Sequence, residues 1–307
     1  MNLDAAQLST VADLDRVGRI AHHKNFSVSP CPRVSASPLT RGLQLDMILL
    51  VVHGSRNSRY NAAVQQLKGL VHQELMAIRN LPAGSTTLVD VAFLEAHPLP
   101  LHEQIANFAD RAAREGIYRI QLLPLFLLPG VHVREDIPAE VARARKIIRP
   151  GIALELLPYL GSQERALSRL LMSQMATVEN PPLTPPSKGG DRANVWILFS
   201  HGSRRPGGNR SVEAIAHQLA ELSGVRVVTA YSFVPPFLSD RVAELVNIGD
   251  RRMAILPYLL FQGELTLAIA RSVPQLCQTF PDLQLQVTQP IAATNDLPRL
   301  IASASQF

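Results

Sequence analysis

Three side chains with donor atoms stand just beyond apolar runs in the first half of a 307-residue chain. His53 follows MILLVV, Glu95 stands near the end of VDVAFLEAHP, and His132 follows PLFLLPGV. Two imidazoles and a carboxylate make a mixed nitrogen and oxygen set. Such a set suits a first-row divalent ion such as iron, cobalt, nickel or zinc and leaves coordination positions open. Taken singly, each residue has a plainer role. A strand-end histidine is more often hydrogen bonded in place than a ligand, and Glu95 alone would cap the helix whose start Pro98 and Pro100 mark. Convergence of all three on one point is what favours chemistry. His97 and His102 read as surface residues or helix-start partners, and Arg56, Arg59, Arg134, Arg204 and Arg205 by default as solvated loop charges.

The elements that must position these residues follow from hydrophobic pattern. Apolar runs at 47–52, 88–94, 119–128 and 152–158 alternate with segments of helical period, the first of which places Tyr60, Val64, Leu67, Val71, Leu75 and Ile78 on one face. Gly116 stands where a helix should end, and Ser162 with Glu164 marks a helix start. Runs that are continuous rather than alternating imply strands covered on both faces, as in a parallel sheet wrapped by helices. In such sheets ligands bind beyond the carboxyl ends of the strands, where strand order reverses. Neighbouring strands lie about 4.8 Å apart, so side chains from three adjacent strand ends can meet.

The order repeats. MILLVVHGSRNSRYN and VWILFSHGSRRPGGN each end an apolar run in His-Gly-Ser-Arg, and IQLLPLFLLPG matches MAILPYLLFQG. Further runs at 195–200, 225–233, 252–261 and 283–287 complete the second copy. The expected fold class is therefore α/β, with two similar doubly wound parallel-sheet domains from an internal duplication, at 46–178 and 193–305. They are joined by a Pro/Gly-rich linker over 179–192, containing NPPLTPPSKGGD, and preceded by a poorly ordered extension over 1–45. The two sets of strand ends are expected to face each other across a cleft.

Composition narrows the function classes. Hydrophobic residues make up 47% of the chain, as in a well-buried globular protein. No apolar run nears the roughly 20 residues that span a bilayer, and no secretory signal pattern is evident, so a cytoplasmic location is expected with no membrane partner. Cys31 and Cys277 form no zinc or disulfide pattern. The net charge of +5 is too weak and scattered for nucleic acid. RPGGN at 205–209 lacks the Lys-Ser/Thr of a phosphate loop, and no organic cofactor is implied.

VVHGSR, AFLEAHP and above all PLFLLPGVHVREDIP resemble the class II tetrapyrrole chelatases, specifically the sirohydrochlorin chelatase family in its duplicated two-domain form. The resemblance covers about 46–290. It implies a chelatase-like fold and a lyase that inserts Fe2+ or Co2+, iron being favoured, into sirohydrochlorin on the way to siroheme or cobalamin. Carried over by motif, His53 and His132 are the metal-binding and proton-accepting pair, and Glu95 completes the metal set. The divalent ion is a co-substrate. A polycarboxylate tetrapyrrole gives Arg56, Arg134 and Arg204 a reason to line the cleft.

The second copy departs from this pattern. His201 keeps the first motif, but Phe233 stands where the first copy has Glu95, and Leu265 where it has His132. One complete set and one degenerate copy are expected, with the second half forming the opposite wall and His201 touching substrate. A monomer is expected, since the duplication supplies both halves of the cleft. The rival reading is a non-catalytic tetrapyrrole or metal carrier using the same residues. A histidine phosphatase is disfavoured because Val52, not arginine, precedes His53.

Overall fold

Every residue of β1 (Met47–Val52) is buried, and the alternation of its side chains sorts them into two cores. The computed structural model describes residues 47–80, 89–177 and 195–304. The extension expected over 1–45 and the linker over 179–192 lie outside the described residues. On one face of the strand, Ile48, Leu50 and Val52 meet Val64, Leu67, Val71 and Leu75 of α1 (Ser58–Ile78). On the other, Met47, Leu49 and Val51 meet Leu101, Ile105 and Phe108 of α2 (Leu101–Arg114) and Val141 and Ala144 of α3 (Ile137–Ile147). Burial on both faces is why the run reads as continuous rather than alternating. Ile78, expected on the buried face of α1, is instead 41% exposed, because it stands in the last turn beyond the reach of the core.

The first half is completed by β2 (Val89–Phe93), β3 (Arg119–Pro124), β4 (Ala153–Leu156) and α4 (Glu164–Thr177), with strand order β2-β1-β3-β4 and all pairs parallel. The second half repeats it. There β5 (Val195–Ser200), α5 (Arg210–Ser223), β6 (Arg226–Tyr231), α6 (Leu238–Asn247), β7 (Arg252–Pro257), α7 (Glu264–Thr279), β8 (Gln284–Val287) and α8 (Asp296–Ala304) give the order β6-β5-β7-β8. In each sheet the chain goes from its first strand to one neighbour and later to the other. Strand order therefore reverses beside β1 and beside β5, which puts the switch point at the His-Gly motifs.

The expected third strand, 119–128, is shorter than its apolar run. It ends at Pro124, and 252–261 likewise ends at Pro257. Proline donates no hydrogen bond, and pairing with β4 ends at Leu156, so the regular ladder stops there, with one further bond to β1 from the Leu125 N–H to the Val51 carbonyl. Leu125 and Leu127 stay apolar for another reason, burial in the core without strand pairing. Arg134, Glu135 and Asp136 read in the sequence as the start of the next helix, with two acids favouring its N-terminus, but they lie within a π-helical turn, His132–Asp136, that precedes α3.

The inner faces of the two sheets do not have separate cores. Leu167, Leu170 and Leu171 of α4, Val212, Ile215 and Leu219 of α5, Leu297 and Ile301 of α8, and Trp196 and Leu198 of β5 join the α1 side of β1 in one apolar cluster. Here α1 packs on α8 and α4 on α5. Because α5 is the copy of α1 and α8 the copy of α4, the same pairing occurs twice, as in a self-complementary dimer fused into one chain. Ser168 Oγ donates to Gln218 Oε1 at 2.8 Å, and Gln174 Nε2 to the Gln289 carbonyl at 2.9 Å, across the same junction. Among the described residues no helix is long and apolar enough to cross a membrane.

The shared core makes folding of the halves interdependent. Leu67→Ala, at a site 2% exposed, should cost about 2–5 kcal/mol through lost burial and the cavity left behind. Calorimetry should show one transition, lowered as a whole. Two transitions with only one displaced would contradict the shared core.

Candidate metal centre

His53 and Glu95 are held together by backbone. Beyond the last ladder pair of β1 and β2, the Leu94 N–H donates to the Val52 carbonyl at 2.9 Å and the Glu95 N–H to the His53 carbonyl at 2.8 Å. The ladder thus runs two residues past β2 and carries both side chains out of the sheet side by side. This geometry explains the glycine after His53. Gly54 has φ +97°, and a Cβ there would lie 2.0 Å from the Glu95 carbonyl oxygen.

The third residue arrives from the other neighbour of β1. The Leu125 N–H donates to the Val51 carbonyl at 2.8 Å, the chain then crosses the strand end, and His132 opens the π-helical turn. That turn is closed by the Ile137 N–H donating to the His132 carbonyl, and π turns of this kind are frequent at functional sites. The imidazoles of His53 and His132 meet edge to face with centroids 5.0 Å apart, and Phe126 lies 6.4 Å and 6.0 Å from them. His53 Nε2 and Glu95 Oε2 are 3.9 Å apart, and one ligand atom from each of the three residues lies within 4.8 Å of the others.

An ion about 2.1 Å from each donor would set tetrahedral donors about 3.4 Å apart, so the three must draw in by roughly 1 Å to share one ion. Their exposure allows it, since the side chains are 49% (His53), 56% (Glu95) and 35% (His132) accessible. Hydrogen bonds fix which imidazole nitrogen is available. The Gly54 carbonyl, 3.1 Å from His53 Nδ1, can only accept, so Nδ1 carries the proton and Nε2 keeps its lone pair toward Glu95. Asp136 Oδ2 stands 2.7 Å from His132 Nδ1 and has the same effect there.

The second half reproduces the frame without the donors. The Phe233 N–H donates to the His201 carbonyl at 3.1 Å, and the Gly202 carbonyl lies 2.8 Å from His201 Nδ1. What faces His201 is the Phe233 ring, 4.4 Å between centroids, and Leu265 lies in the first turn of α7. Among the described residues His53, Glu95 and His132 form the one group of three such donors within reach of a common ion.

The remaining candidates sort by environment. Arg56, Arg134 and Arg204 are exposed on strand-end segments and in no salt bridge among the described residues; Arg134 lies close enough to Tyr159 to oppose the rise that burial and Glu164 impose on its phenol. His102 is structural. Its backbone N–H and its ring both bind Glu140 of α3, which ties the start of α2 to α3. Burial would raise the Glu140 carboxyl, but the His102 hydrogen bonds and the charges of His102 and Arg143 outweigh it and hold it below the ordinary range. His97 accepts from the Leu99 N–H and stacks on Phe93.

The contacts of three residues, Asp136, Tyr60 and Tyr258, escape a reading of motifs. Asp136 looks like an acid favouring a helix start, although its i,i+4 spacing from His132 was a usable signal. Tyr60 reads only as a core position. In the fold its hydroxyl meets the Gly54 backbone and its ring packs on Phe261 of the second half at 5.0 Å, which ties the His53 loop to the other half. Burial pushes the Tyr60 phenol up against that hydrogen bond. Similarly, the Tyr258 hydroxyl donates to the Leu127 carbonyl at 3.4 Å, so the strand ends of the two halves meet on one side of the molecule.

Comparison with known proteins places this geometry. The CbiX family model matches residues 47–177 and again 195–306. The sirohydrochlorin cobaltochelatase of Priestia megaterium is 25% identical over 236 residues, covering 76% of this chain and 70% of that protein. The sirohydrochlorin ferrochelatase of Bacillus subtilis (strain 168) is 27% identical over 246 residues, covering 78% and 83%. Among solved structures, SirB from Bacillus subtilis with Fe3+ superposes with a TM-score of 0.64 at 23% identity, over 84% of this chain and 93% of that one.

Gly54→Ala tests the packing of the two strand ends. A methyl group 2.0 Å from the Glu95 carbonyl must part the His53 and Glu95 backbones, so the variant should melt at lower temperature, by an amount matching about 1–3 kcal/mol. An unchanged melting temperature would show that the close approach imposes no constraint.

Proposed function

Since the chain belongs to the CbiX family, matched on both halves, we propose that it inserts a divalent metal ion into sirohydrochlorin. The observation that carries this reading is the meeting of His53, Glu95 and His132 at the strand-order switch of the first half. The relatives named as sirohydrochlorin ferrochelatase and cobaltochelatase supply the substrate class. Of the ions, iron is our choice over cobalt. The donors themselves accept either, because affinity follows the metal more than the site.

The chemistry asks for two things, and the residues offer both. The ion must be taken partly stripped of water yet released, which suits three half-exposed donors that must draw together to hold it. Two pyrrole N–H protons must then leave as the ion enters the ring. The Nε2 lone pairs of His53 and His132 become free at that moment, one acceptor for each proton, while Glu95 balances charge. Arg56, Arg134 and Arg204 are proposed to meet substrate carboxylates, for which a guanidinium with no salt bridge among the described residues is suited. His201 and Phe233 offer an aromatic surface on the second half. A monomer suffices for this scheme, since each chain carries both halves. No organic cofactor enters it.

Anaerobic assay of sirohydrochlorin with Fe2+, Co2+ and Ni2+ in turn is the test, and stoichiometric binding without multiple turnover would favour a carrier instead. His53→Ala and His132→Ala should each lower metal insertion by at least about 100-fold, as expected for loss of a positioned acid-base group. His201→Ala should cost much less and Glu95→Gln an intermediate amount, and the two His→Ala losses should not add. If His201→Ala, still folded by thermal melt, were as damaging as His132→Ala, the proposed site would have to span both halves.

A further inference from the structure

We infer that Asp136 is a positioning residue for metal insertion: it holds His132 in the tautomer, and at the angle, that turns Nε2 to the incoming ion. The inference rests on the reading of His132 as a metal-binding residue given above. Its first support is geometry. Asp136 Oδ2 lies 2.7 Å from His132 Nδ1, which leaves Nε2 as the ring nitrogen without that partner in a residue that reaches the shared donor group. An ionised carboxylate is acceptor-only, so the proton must sit on Nδ1 and the lone pair on Nε2.

The second support is that the plainer role is unfilled. Asp136 stands at the entry of α3, where an acid would ordinarily cap the helix, yet its side chain makes no cap hydrogen bond. Its carboxylate is not among the grouped donors either. The imidazole is its partner.

The third support comes from the duplicated half. His53 and His201 take their Nδ1 partner from the backbone carbonyl of the following glycine, so that device survives in both copies. His132 has no such carbonyl and depends on a side chain. At the equivalent positions of the second half, Leu265 replaces His132 and Ile269, 1% exposed, replaces Asp136. There the helix begins with Gly263 and Thr266 capping in place of a π turn. The histidine, its aspartate and the π turn are present together in one copy and absent together in the other, as expected if the aspartate serves the histidine. Ligand-orienting partners of this kind typically change metal affinity by about 10- to 100-fold.

The test uses the full chain without metal and then with Co2+ as probe. Nitrogen-15 imidazole spectra recorded near pH 8.5, about two units above the ordinary imidazole value, report the neutral tautomer directly. The His132 signal is assigned by its loss in His132→Gln. The wild type should show His132 with its proton on Nδ1. Asp136→Ala should shift it toward the Nε2–H form that free histidine prefers, and should weaken Co2+ binding by about 10- to 100-fold. Asp136→Asn, whose amide oxygen still accepts from Nδ1, should keep the wild-type tautomer and lose only a few-fold in Co2+ affinity, about the effect of trading a charged acceptor for a neutral one. An unchanged tautomer in Asp136→Ala would overturn the inference. So would an Asn variant as weak toward Co2+ as the Ala variant despite the wild-type tautomer, because charge and not positioning would then be at work. A wild type with the Nδ1–H tautomer that fails to bind Co2+ would instead overturn the metal reading and leave the tautomer assignment standing.

Discussion

The site depends on hydrogen bonds that outlast the strands. A parallel sheet ordinarily releases its chains at the last ladder pair. Here the Glu95 N–H still reaches the His53 carbonyl on one side of β1, and the Leu125 N–H still reaches the Val51 carbonyl on the other. Those two bonds fix where three different strands let go. Gly54 is required because the His53 and Glu95 backbones come too close for a side chain. The donors sit on half-exposed side chains above a rigid, fully buried β1. Placement is therefore decided by backbone while the side chains stay free to draw in around an ion.

The two halves share a scaffold, and one of them carries the group of three donors. Both copies retain the parallel order, the switch point and the His-Gly turn with its carbonyl-bound imidazole. The core binds the copies through two equivalent helix pairs, so neither can be lost without the other. Phe233 and Leu265, which stand where the first half has Glu95 and His132, are not part of that core. This is how a second half can shed its donors yet stay indispensable for folding, with Tyr60 against Phe261 and Tyr258 against Leu127 holding the two sets of strand ends together.

Much of this was legible in the sequence because it rests on local pattern. The bounds of β1 and β5 were read to the residue, since both are apolar on both faces and end in a polar motif. His53, Glu95 and His132 were found by their place after such runs, and the degenerate copy by alignment of the two blocks. Less legible were features set by tertiary partners. The runs through Leu128 and Phe261 stay apolar for burial in the core, or packing against it, beyond the sheet, so pattern overextends both strands. Ile78 follows the helical period but outruns the core. Asp136 is read as a helix-start acid because nothing local distinguishes a carboxylate that caps from one that holds an imidazole; only the π turn and the 2.7 Å contact do.

The most direct test of one site on one half is anomalous diffraction at the cobalt edge from crystals of the chain soaked in Co2+. One principal peak is expected about 2.0–2.3 Å from Nε2 of His53, Nε2 of His132 and a carboxylate oxygen of Glu95, with the three side chains drawn inward. A principal peak at His201, or one held by a single member of the three, would contradict it.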